Sequence, residues 1–260
     1  MPSRPSASSD AGARVALVTG ASRRIGRHLA ERLAAAGHRV AVHWRSDGDG
    51  AQATVAAIRA AGGVAEAFQA DLADPAACAR LVRDVTAAWS PIDVLVNNAS
   101  AFHGAHLDDM TVDDLDRHHG ANVRSTHALS LHVGRTMVAR HAAQPAYQGV
   151  VLNLACTSAE RPWSRYIAYS ASKAAVVSLT RGFARSLAPA ARVNAIAPGP
   201  ILPPAGGTPE QADAAARATL LGRMGRVEDI GAAALFLLRA RYVTGVVLAV
   251  DGGRGLVPPT

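Results

Sequence analysis

Short apolar, β-branched runs alternate with stretches of helical periodicity along the whole chain, and this alternation limits the fold more than any other feature. Arg14 to Thr19 (RVALVT) ends in glycine, and Arg23 to Ala36 then carries a helical pattern up to Gly37, which reads as strand, turn and helix. The unit repeats with strands near Arg39–His43 and Val64–Gln69 and helices near Gly50–Ala61 and Pro75–Trp89. Further strands are expected at Ile92–Val96, Val150–Leu154, Arg192–Ile196 and Val246–Val250, with helices near Val112–His141, Tyr166–Leu187 and Val227–Leu238. Such an α/β order predicts one parallel sheet of about seven strands covered by helices on both faces. Ligands then lie at the carboxyl ends of the strands. Ala197 to Thr208 (APGPILPPAGGT) is too rich in Pro and Gly for regular structure and reads as a mobile lid-like loop at those ends.

At 260 residues the chain is long enough for one large core. We expect a single domain over residues 14–260, preceded by a disordered Ser/Pro/Ala-rich tail over residues 1–13 that lacks the apolar stretch of a secretory signal. Two cysteines, Cys78 and Cys156, make no disulfide framework, and no apolar run has the length of a membrane span. The expectation is a cytoplasmic protein with no membrane partner. The net charge of +7 raises the question of nucleic acid, but the arginines form no basic run and few aromatics interleave with them, so none is expected.

The chain carries 27 Lys and Arg residues, and Lys173 is its only lysine. One position has resisted a general exchange of lysine for arginine. It lies four residues after Tyr169 in Tyr169-Ser-Ala-Ser-Lys173, a spacing that puts both side chains on one helix face. An ammonium beside a phenol favours the phenolate, so the pair is expected to lower the tyrosine pKa and make a general acid/base. Arginine is bulkier and is no compact point charge. Earlier in the chain, Thr19-Gly-Ala-Ser-Arg-Arg-Ile-Gly26 falls at the first strand-to-helix turn, where glycines let backbone N–H groups approach a pyrophosphate.

Together with Asp71-Leu72, Asn97-Asn98-Ala99, Asn122, Pro198-Gly199 and Asp251-Gly252-Gly253, these motifs resemble the short-chain dehydrogenase/reductase family from about Val15 to Gly253. The resemblance implies a Rossmann fold, an NADPH or NADP cofactor, a small-molecule substrate and a homotetramer, a dimer being the alternative. It implies that Tyr169 handles the substrate proton, that Lys173 holds the nicotinamide ribose, that Asn122 supports a proton-relay water and that Asp71 caps the adenine. Gly20, Ser22, Arg23, Arg24, Ile25 and Gly26 would line the cofactor, as would Leu72, Asn98, Ala99, Pro198, Gly199 and Ile201. Within the family the chain is most similar to pteridine reductases and bacterial dihydromonapterin reductases. Arg24 stands at the usual second glycine, Ser100-Ala101-Phe102 follows Asn97-Asn98-Ala99, and His43-Trp44-Arg45-Ser46 closes the second strand. This implies that Phe102 stacks on a flat bicyclic ring while Ser100 and Arg24 bond its polar edge; a core Phe102, and an Arg24 serving only the cofactor phosphates, are the alternatives.

Cofactor choice has its own argument. NAD enzymes place an acid near the end of the second strand, and here no carboxylate precedes Asp47. Arg45 and Ser46, with Arg23 or Arg24, suit a 2′-phosphate instead, which favours NADPH. One departure stands out. The family's third catalytic position, serine or in pteridine reductases aspartate, lies thirteen residues before the tyrosine, and here it is Cys156, a weak hydrogen-bond donor. Thr157 or Ser158 would supply a hydroxyl if the strand end is shifted. The leading expectation is therefore an NADPH-dependent reductase of a pterin C=N bond. The alternatives are a carbonyl reductase of the 3-oxoacyl-thioester or sugar type and a non-catalytic NADP(H)-binding redox sensor.

Overall fold

A computed structural model describes residues 13–203 and 208–257. Seven parallel strands form one sheet in the order β3-β2-β1-β4-β5-β6-β7. They are β1 (Val15–Val18), β2 (Arg39–Trp44), β3 (Val64–Gln69), β4 (Val94–Asn97), β5 (Gly149–Leu154), β6 (Ala191–Pro198) and β7 (Val247–Val250). Helices α1 (Arg24–Ala35), α2 (Gly48–Ala60) and α3 (Pro75–Ala88) follow the first three strands. Then come α4 (Val112–His118), α5 (Ser125–Ala143), α6 (Ile167–Leu187), α7 (Pro209–Arg217) and α8 (Val227–Arg239).

The central strands are apolar on both sides because both faces are covered. One core packs Leu17, Leu95 and Val151 against Leu81, Leu129 and Met137 from α3 and α5. The other packs Val18, Val42 and Leu152 against Leu29, Ile58 and Ile230 from α1, α2 and α8. Strand order reverses between β1 and β4, which opens a crevice beyond their carboxyl ends.

Most element ends fall within one or two residues of the sequence expectation; three differences bear on the crevice or its surroundings. The helix expected over Val112–His141 is broken by a wide π turn at His119–Arg124. Within it Asn122 bonds to Ser100 and Ala101 in the loop after β4 and to Ser172 of α6, and such π turns recur at functional positions. Strand β6 continues through Ala197 and Pro198, residues read as loop. Helix α7 was not expected, although Thr208-Pro-Glu-Gln211 spells a capping box with proline in the first turn: Thr208 N donates to Gln211 Oε1 at 3.1 Å and Gln211 N to Thr208 Oγ1 at 3.4 Å. Residues 1–12 of the expected tail and residues 204–207 of the expected lid lie outside the described residues. Among the described residues no helix is long and apolar enough to cross a membrane.

Candidate active site

The crevice is lined first by the turn after β1. Thr19 Oγ1 donates to Val96 O at 3.2 Å and accepts from the amides of Asn98 and Ala99, each at 2.9 Å, so one hydroxyl ties the β1 and β4 ends together. Gly20 adopts φ +61°, a conformation only glycine takes at no steric cost. A Cβ on Gly26 would collide with Gly20 O and Asn98 Nδ2, so the helix can approach the turn this closely only with glycine there. Asn98 Nδ2 donates to the carbonyls of Thr19 and Gly20 at 2.8 and 3.1 Å. Helix α1 has no side-chain cap, which leaves its first-turn N–H groups free for an anion. Of the turn's other residues, Ser22 is buried, Ile25 half-buried, and Arg23 and Arg24 exposed. Arg24 sits at φ +56° and donates to Pro203 O at 2.7 Å; its left-handed backbone is strained, as expected where a glycine has been replaced.

Arg45 and Ser46 are exposed at the β2 end. The nearby Asp47 is engaged as the cap of α2, its carboxylate accepting from Gly50 N at 3.1 Å. Asp71 accepts from Ala73 N at 3.0 Å and holds the turn beyond β3, with Leu72 buried beside it. On the far side, Pro198 ends β6, Gly199 N donates to Val250 O at 3.0 Å and Ile201 is buried.

Tyr169 and Lys173 lie in the first turns of α6, both buried. Lys173 Nζ donates to Leu154 O at 2.7 Å, at the end of β5, and stands 5.7 Å from the centroid of the Tyr169 ring. Burial pushes the lysine down to about 8, with the Cys156 sulfur acting in the opposite direction. The expectation that Lys173 lowers the tyrosine pKa is corrected here. Burial first, and then the hydrogen-bonded Cys156 sulfur, raise the Tyr169 phenol well above its ordinary value. The thirteen-residue spacing does bring Cys156 to Tyr169. Cys156 Sγ also accepts from Ser158 N at 3.5 Å, and the hydroxyls of Thr157 and Ser158 are buried without a hydrogen-bond partner.

Asn122 acts as a clamp. Its Oδ1 accepts from Ala101 N at 2.7 Å and Ser100 Oγ at 3.1 Å, and its Nδ2 donates to Ala101 O at 3.1 Å and Ser172 Oγ at 2.9 Å. The side-chain amide is thereby held between the loop after β4 and helix α6. The clamp fixes the loop carrying Phe102, whose ring is 42% exposed, so the core alternative does not hold. Phe102 meets Tyr169 edge to face at 4.8 Å between centroids and stacks on Tyr166 at 4.7 Å and 11°. Sequence reasoning missed Tyr166, which sits one helical turn before Tyr169; that spacing of two tyrosines was the available signal. It also missed the Thr19 tie.

A family model described as Enoyl-(Acyl carrier protein) reductase matches residues 20–254. A 3beta-hydroxysteroid dehydrogenase 1 from Eggerthella lenta is 35% identical over 249 residues, covering 93% of this chain and 94% of its own. Among solved structures, a short-chain dehydrogenase/reductase from Serratia marcescens superposes with TM-score 0.85 at 36% identity, over 93% of this chain and 98% of its own. FolM alternative dihydrofolate reductase 1 from Brucella canis, complexed with NADP, gives TM-score 0.86 at 32% identity over 95% and 96% of the two chains.

Proposed function

Because the chain belongs to the short-chain dehydrogenase/reductase family of oxidoreductases, we propose that it is an NADPH-dependent reductase of a pterin-type C=N bond. The uncapped α1 terminus and the Gly20 and Gly26 approach fit a dinucleotide pyrophosphate. Arg45 and Ser46 fit a 2′-phosphate, and Asp47, spent on capping α2, offers no competing acid for a ribose hydroxyl. The Brucella canis protein, solved with NADP, lends support. NADPH held by these residues would supply the hydride.

Protein groups do the rest. Tyr169, kept protonated by burial and the Cys156 sulfur, holds its proton at Oη for donation to the substrate nitrogen. Lys173, anchored on Leu154 O, fixes α6 against the β5 end and places a positive charge behind the phenol. Asn122 positions the loop that presents Ser100 and Phe102. The observation that carries the pterin reading is the exposed Phe102 ring beside Tyr169, backed by Tyr166, which suits offset stacking of a flat bicyclic substrate. Ser100 and Arg24 are the groups for its polar edge.

A second reading, reduction of a ketone or thioester carbonyl, is favoured by Cys156, which offers no carboxylate to an amino-pyrimidine edge, and by the Eggerthella lenta relative. Membership of an oxidoreductase family leaves the non-catalytic sensor without support. Turnover of dihydrobiopterin against acetoacetyl thioester, read as NADPH consumption, separates the two enzymatic readings. Tyr169→Phe is the control: it should lower kcat by about 10²–10⁴ while NADPH still binds. Wild-type turnover in that variant would overturn the acid/base role.

A further inference from the structure

His43 is a buried polar residue, 2% exposed, near the carboxyl end of β2, directly after its apolar centre Val40–Val42, and nothing in the reaction described above uses it. Burying an imidazole in a sheet is unfavourable unless its nitrogens are hydrogen-bonded. Both are, and both bonds leave the strand. Nδ1 accepts from Gly20 N at 3.1 Å, in the turn after β1, and Nε2 lies 3.1 Å from Ala70 O, in the segment after β3. The pattern sets the tautomer: a nitrogen that accepts carries no proton, so Nε2 bears the hydrogen and donates to Ala70. Burial keeps the ring neutral at working pH, pushing it down to about 4 against the pull of the Ala70 carbonyl and Asp71.

The backbone of the same residue adds a third bond, as Ala21 N donates to His43 O at 2.8 Å. Two consecutive amides of the glycine turn are thus turned back onto residue 43. On the other side, the single hydroxyl proton of Thr54 is shared between Gly50 O of its own helix at 2.9 Å and the carbonyls of Ala21 and Ser22, which lie 3.1 and 3.4 Å from Oγ1. With these groups fixed, the donors left for an anion are the amides that follow, at the uncapped start of α1. The imidazole also joins this phosphate-side turn to the segment leading into Asp71, across the carboxyl ends of three adjacent strands.

We propose that His43 is a positioning residue for the dinucleotide: through its Nδ1 bond it holds Gly20 in the left-handed turn that aims the α1 amides, and through its Nε2 bond it sets the distance between the phosphate and adenine sides of the cleft. This rests on the NADPH reading above.

Asparagine and glutamine divide the two bonds. Asn Oδ1 falls where Nδ1 stood and can accept from Gly20; Gln Nε2 falls where Nε2 stood and can donate to Ala70. NADPH affinity is measured by fluorescence titration on wild type, His43→Asn and His43→Gln, and amide hydrogen exchange over residues 16–24 is measured without cofactor. His43→Gln, which leaves the Gly20 amide without its acceptor, should raise the NADPH Kd roughly tenfold or more and speed exchange at the turn. His43→Asn should restore most of the affinity and the slow exchange. A residue that merely fills the core would give equal losses in both variants, and that result, or unchanged binding in both, would overturn the proposal. If the wild type fails to bind NADPH, the cofactor reading falls instead, and the exchange comparison still decides whether His43 holds the turn: slow exchange in His43→Gln rejects it.

Discussion

The ammonium of Lys173 is bonded to the carbonyl of Leu154 at 2.7 Å, so the only lysine of the chain joins the end of β5 to the first turns of α6 inside a fully buried site. A guanidinium is longer and planar and cannot occupy that space with one short bond. Lys173→Arg is therefore expected to lower kcat by about 10²-fold although the charge is kept. Overpacking should also cost roughly 1–3 kcal/mol of stability. Steady-state kinetics and thermal unfolding check both, and full activity would show that position 173 needs only a positive charge.

Arg24 gives a prediction with opposite signs for stability and binding. At φ +56° its backbone is strained, and a glycine relieves that strain while removing the guanidinium from the crevice. Arg24→Gly should leave stability unchanged or raise it by about 1 kcal/mol. It should also raise KM for dihydropterin. An unchanged KM would mean that Arg24 serves only the contact with Pro203.

His43 provides a pH test. Its folded pKa, about 4, lies below the ordinary 6.5 because of burial. Between those values the unfolded chain binds a proton that the folded chain does not, so stability falls as pH drops from about 6.5 toward 4. The full contribution is about 3 kcal/mol. Denaturant unfolding across this range should show a steeper acid limb for wild type than for His43→Asn. Parallel limbs would place the acid sensitivity in other groups.

The strands were legible because β-branched runs bounded by glycine and helical pattern leave few alternatives, and the order of motifs carried the site with them. What escaped notice depends on contacts made only after folding. The i,i+4 spacing of Tyr169 and Lys173 revealed a shared face but not that burial and the Cys156 sulfur would raise the phenol. Tyr166 became part of the site because Ala105 N donates to Arg165 O at 2.9 Å, which lays the loop after β4 over its ring. His43 read as the end of a strand, since nothing local says that both ring nitrogens reach neighbouring loops.

Cys156 supplies the last test, because a sulfur stands where a hydroxyl or carboxylate is expected. Its thiol is the hydrogen-bond partner of the Tyr169 hydroxyl and helps keep that phenol protonated. Sulfur is a weak donor, so the developing oxyanion of a reduced ketone receives little help from it and depends on Tyr169. A C=N substrate depends on protonation at nitrogen, which a protonated Tyr169 supplies directly. Cys156→Ser should accordingly raise kcat/KM for acetoacetyl thioester, by about tenfold if the new hydroxyl reaches the oxyanion, and leave dihydrobiopterin turnover the less affected of the two. Cys156→Asp should favour the pterin, whose amino-pyrimidine edge offers donors to a carboxylate. Both substrates are to be assayed on the same preparations. If neither substitution moves either substrate, Cys156 acts only through packing, and substrate choice rests on Phe102 and its neighbours.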